Sequence, residues 1–109
     1  MNVPPDQVDE LKLLFGEIKV CEEVGITYFL IPNLQLPDGC TRAVVDALLC
    51  PTARDGYNAR LFFAAQVKPG LNWNGNFRIC ERNWYAFSWR LDANLRLAQI
   101  VTSILSAMK

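Results

Sequence analysis

Four β-rich runs follow one another through the first two-thirds of the chain, and the connections between them are short. The runs are Ile18 to Val24, Thr27 to Leu34, Ala43 to Leu49 and Leu61 to Val67. Gly25 separates the first two. Pro37, Asp38 and Gly39 make a strong turn signal before the third, and Pro51 stops it. A parallel crossover needs a dozen or more residues, usually with a helix of its own, so the spacing predicts an antiparallel meander of four strands. Pro32 cannot donate to a ladder, which makes the far end of the second run an edge or a bulge. Phe62 and Phe63 are neighbours on the last run and must point to opposite faces. One of them is therefore expected in the core and the other at a covered edge.

A sheet with one apolar face needs a cover, and the sequence supplies two helices. The first is expected from Asp6, as a cap, to Gly16, with Val8, Leu11, Leu14 and Phe15 on one face. The second is expected from about Asp92 to Met108, with Leu97, Ile100, Val101, Ile104, Leu105 and Met108 making a broad apolar face. Between the strands and this helix lies Lys68 to Ser88, rich in asparagine and glycine, which reads as a long irregular loop. The expectation is a single α+β domain over residues 1–109, a two-layer sandwich of helix, four-stranded meander, loop and helix.

Composition narrows the chemistry. Eleven basic and eleven acidic side chains cancel in 109 residues, which argues against a nucleic-acid or anionic-membrane binder. No apolar run is long enough to cross a bilayer, and the N-terminal stretch lacks the blocks of a signal peptide, so a cytoplasmic protein is expected. Histidine is absent, which removes Ser-His-Asp and Cys-His catalysis and histidine metal ligands from this chain. Cys21, Cys40, Cys50 and Cys80 have wide spacings with no CxxC pair, so no zinc site is expected, and all four read as reduced.

The segment Lys68-Pro-Gly-Leu-Asn-Trp-Asn-Gly-Asn-Phe-Arg-Ile-Cys80 resembles the active-site stretch of the ubiquitin-conjugating enzyme (UBC-like) family. Asn72 stands at the family's asparagine, eight residues before Cys80, while Gly70 and Leu71 replace its His and Pro. The helix, the four strands, the LPDGC turn (Leu36 to Cys40) and the RNWYAFSWR segment are similar to the short bacterial members called prokaryotic family E. Pro51 and Tyr57 stand in the family's proline-tyrosine-proline turn, with Asn58 in place of the last proline.

The resemblance implies a UBC-like fold and a carrier role. Cys80 would accept a ubiquitin-like protein as a thioester from an activating-enzyme-like partner and pass it to an amine. Asn72 would stabilise the oxyanion or brace the loop. The chain itself would need no cofactor or metal. A reactive thiol needs a thiolate fraction, which Arg78 and Arg82 would favour and Glu81 oppose. Asp92 is a positional candidate for orienting the incoming amine, and Cys40 is a reserve nucleophile. The alternative on the same scaffold is a non-catalytic adaptor for the modifier or its activating enzyme. Of the tryptophans, Trp89 reads as the more buried.

Overall fold

A computed structural model of the chain describes residues 4–52, 57–67, 73–87, 89, 91–92 and 94–108. The fold is α+β, with two helices and a curled, fully antiparallel sheet of six strands. In chain order the elements are α1 (Pro5–Phe15), β1 (Lys19–Glu23), β2 (Ile26–Gln35), β3 (Val44–Cys50), β4 (Arg60–Phe63), β5 (Trp73–Ile79), β6 (Arg82–Phe87) and α2 (Leu97–Ala107). Across the sheet the order is β1-β2-β3-β4-β6-β5.

The first four strands form the expected meander, each paired with the next. Val24 and Gly25, at φ 51° and 75°, form the tight connection from β1 to β2. The β2–β3 register shifts between Ile31 and Leu34, around Pro32, and Asn33 takes φ 53° there. Its backbone N–H is satisfied by the Asp46 carboxylate at 2.9 Å. That is the bulge a proline without an N–H calls for.

The segment expected as a long loop is different. From Trp73 to Phe87 it is a hairpin that joins the sheet, β6 lying against β4 and β5 at the outer edge. Its apolar residues alternate: Phe77 and Ile79 on β5 share a face with Trp84 and Ala86 on β6. This period of two outweighs the loop-like composition of the stretch.

Because both faces of the strands carry apolar residues, the sheet has two cores. On one face Phe29, Ile31, Ala47, Leu49, Leu61 and Phe63 pack with Leu11 of α1 and with Leu97, Ile100, Val101 and Ile104 of α2. On the other, Tyr28, Leu48, Cys50, Phe62, Ile79, Trp84 and Ala86 form a second cluster that contains no helix residue. Phe62 and Phe63 do point oppositely, but both are completely buried, one in each core. The second face is buried by the curl of the sheet on itself, which removes the need for a covered-edge position.

The helix starts also differ from expectation. α1 begins at Pro5 with Pro4 before it and no side-chain cap; Asp6 instead pairs with Arg96 at 3.0 Å. α2 begins at Leu97, not near Asp92. Its first N–H groups find acceptors in the Gln99 side chain (Arg96 N–H, 2.8 Å) and in Gln7 of α1 (Leu97 N–H, 3.1 Å). A local capping box with Gln99 and a contact from α1 together support the start of α2, and no local acidic cap is used.

Candidate functional site

Cys80 occupies the tip of the β5–β6 hairpin. Ile79 and Arg82 are cross-strand partners, so Cys80 and Glu81 alone make the connection, with φ of 51° and 65°. Both central residues at positive φ match the type I′ turn that suits the twist of a hairpin. Here neither residue is glycine or asparagine, so the turn depends on its surroundings to hold it.

Three contacts supply that hold. The Cys80 sulfur is bonded to Cys21 of β1, with Cα atoms 6.6 Å apart. The Cys80 backbone N–H donates to the Glu23 carboxylate at 3.1 Å. The indole N–H of Trp84, 1% exposed, donates to the Ile79 carbonyl at 3.0 Å. Cys21 lies opposite Tyr28 in the β1–β2 ladder, on the face of the helix-free core, which is why its side chain meets the hairpin tip. The expectation of four reduced cysteines is thus corrected. The curl of the sheet brings two widely separated residues together, a proximity that sequence spacing does not report. Cys40 and Cys50 remain free.

The two arginines that flank Cys80 are engaged with other groups. The Arg82 guanidinium makes an ion pair with Asp46 at 3.2 Å and lies 4.8 Å from the centre of the Trp84 ring. Arg78 donates to the Asn83 side chain at 3.4 Å. Glu81 is exposed. Asn72 lies outside the described residues, as do Gly70 and Leu71 of the same motif. Asp92 is not near Cys80: it lines a shallow depression with Trp89, Leu95, Ser103 and Ser106 beside α2, on the helix-covered side. Cys40 is half-buried, its thiol 3.9 Å from the Met108 carbonyl. Cys50 is buried, its thiol donating to the Thr52 carbonyl at 3.4 Å.

Trp84 is the buried tryptophan, and Trp89 is 42% exposed, the reverse of expectation. Trp84 falls on the inward phase of β6, which becomes visible only once the segment is read as a strand. Arg60 carries no sequence signal of its role. It is 4% exposed, with its guanidinium 4.4 Å from the Tyr57 ring centre and 5.3–5.5 Å from those of Phe77 and Phe62. Its position two residues before Phe62 on β4 puts it on the face of the second core.

The electrostatically shifted groups lie away from Cys80, at the junction of the helices. Arg96 reaches Asp6 at 3.0 Å and Glu10 at 3.1 Å. The hydrogen bond from Arg96 holds the Asp6 carboxyl below the ordinary carboxylate range, and those carboxylates raise Arg96 in turn. Among the described residues no group of three or more Cys, Asp or Glu side chains gathers to hold a metal ion, and no helix is long and apolar enough to cross a membrane. Comparison with known protein families, curated proteins and solved structures finds no match.

Proposed function

We propose that this chain is a UBC-like module that binds a ubiquitin-like protein or its activating-enzyme-like partner without carrying the modifier itself. The family part of this reading rests on the ordered resemblance of its motifs, from the LPDGC turn to the RNWYAFSWR segment. One structural observation favours the adaptor form over the carrier form. The Cys80 sulfur is committed to Cys21, and Cys80 sits in a two-residue hairpin turn that leaves no open loop for a modifier's C-terminus. A disulfide sulfur offers no thiolate for transthiolation.

The carrier reading keeps one specific support: Cys80 is half-exposed at a turn, so a reduced Cys80 would present its thiol near the surface. In that form Cys80 takes the modifier as a thioester, and Asn72 braces the site or stabilises the oxyanion. Neither form needs a metal or cofactor in this chain, since ATP is consumed by the activating enzyme.

The test combines binding and charging. The reduced and oxidised proteins are mixed with the genome-neighbouring activating-enzyme-like protein, its modifier and ATP, beside Cys80→Ala. The adaptor reading predicts a stable complex by sedimentation and no thiol-labile adduct in either redox state. An adduct that requires Cys80 overturns it in favour of the carrier. No complex and no adduct, with the activating enzyme demonstrably charged, overturns both.

A further inference from the structure

We infer that the Cys21–Cys80 bond is a redox clasp, which a dithiol reductant opens to release the lip of the helix-free face while the rest of the fold stays intact. The inference is independent of what the protein binds.

Its first support is where the bond lies. β1 ends the sheet on one side, and the β5–β6 hairpin ends it on the other. The bond joins these ends across 59 residues of chain. Among the described residues no strand ladder links β1 to β5 or β6. The hydrogen bond from Cys80 N–H to Glu23 reinforces the junction. Beneath it lie Tyr28, Phe62, Ile79 and Trp84, the core that no helix covers.

The second support is a contrast in accessibility. Cys21 and Cys80 are both half-buried, whereas Cys50 in the same core is fully buried. Disulfide exchange needs a path for the attacking thiolate, and this bond has one. The third support is the turn itself. Cys80 and Glu81 are held left-handed without glycine, a conformation that persists only where surrounding contacts impose it. Cutting the bond removes the covalent tie to β1 and lets the tip relax.

The last support separates a clasp from a structural staple. The larger core, which buries α1 and α2 against β2, β3 and β4, includes neither cysteine. Its packing does not depend on the bond, so the reduced chain keeps that core and opens locally.

The reaction balances as ordinary thiol–disulfide exchange. A thiolate of the dithiol attacks the Cys80 sulfur at the turn, forming a mixed disulfide, and the Cys21 thiolate leaves and takes up a proton. The second thiol of the reductant then attacks its own sulfur in the mixed disulfide. Cys80 leaves as a thiol, the reductant becomes a disulfide, and two electrons and two protons have passed to the protein.

Hydrogen exchange read by mass spectrometry tests this, comparing oxidised protein, protein reduced with dithiothreitol, and the variants Cys21→Ser and Cys80→Ser. The clasp predicts that exchange of amides in β1 and in residues 78–83 accelerates about tenfold or more on reduction. It predicts little change in β3 and α2, and the same local pattern in both variants. Exchange that is unchanged on complete reduction overturns the proposal, because the bond then holds nothing. Acceleration throughout β3 and α2, or variants that unfold, also overturns it, because the bond is then a staple of the whole fold. A bond that resists dithiothreitol in the native protein overturns it as well.

Discussion

The two faces of this sheet are buried by different means. The helix-covered face is closed by packed helices: α1 and α2 lay Leu11, Leu97, Ile100, Val101 and Ile104 over the strands, and the Arg96 pairs with Asp6 and Glu10 fasten the helices at the surface. The other face has no helix, and its core is closed by curling the sheet until β1 meets the β5–β6 tip. A helix distributes its hold over several buried side chains. The curl concentrates its hold at one lip, in a disulfide, a carboxylate–amide hydrogen bond and one indole. The first arrangement loses stability in increments; the second has a single place where it opens.

The largest expected effect falls on Trp84. Trp84→Ala removes the largest fully buried side chain and its bond to the Ile79 carbonyl. It should destabilise the oxidised protein by about 3–5 kcal/mol, read by urea denaturation. A loss no greater than that of an exposed substitution would show that the helix-free core contributes little.

Because the bond opens one lip only, reduction should cost about 1 kcal/mol or less by the same measurement, below the about 2–4 kcal/mol of a bond that staples a whole fold. A cycle with two core variants sharpens the comparison. Reduction and Trp84→Ala act on one lip, so their combined effect should fall short of the sum. Reduction and Ile104→Ala act on opposite faces and should add. Additivity in both pairs would remove the distinction between the faces.

Val24→Asn acts at the other hairpin. Val24 is 93% exposed at φ 51°, followed by Gly25, and Asn-Gly is the favoured pair for such a turn. Stability should rise by about 1 kcal/mol, and a loss would mean that Val24 makes a contact worth more than the backbone relief.

The smallest effect belongs to the helix-covered face. The folded pKa of Asp6 is lowered from 3.8 by Arg96. The pair's contribution is therefore complete above that ordinary value and is lost as pH falls through the lowered one. Asp6→Asn should make acid destabilisation slightly shallower there, with no change near neutrality beyond the loss of an exposed pair. An unchanged acid limb would show that the pair contributes nothing.

What was legible in the sequence was local. Gly16 after α1, Gly25 in the first hairpin and Pro32 at the bulge each impose a backbone requirement that a reader of residues can see. The periodicity of Leu97 to Ile104 similarly announces a helix. The β5–β6 hairpin was hidden because asparagine and glycine crowd its first strand, while Cys80 and Glu81 carry no turn signature. Read as a loop, the segment loses the phase that buries Trp84 and leaves Trp89 exposed. The start of α2 takes part of its support from Gln7, ninety residues away in sequence, and the Cys21–Cys80 bond depends on sheet curvature. Of the candidate site, the position of Cys80 between Ile79 and a downstream tryptophan was readable, but its partner was not.

The central claim is that a covalent bond between β1 and the hairpin tip closes the helix-free face. Intact-mass measurement after unfolding the protein in denaturant and alkylating it, without reductant, tests it most directly. The account predicts that Cys40 and Cys50 take the label while peptide mapping finds Cys21 joined to Cys80. Label on all four cysteines, with no linked peptide, would contradict it.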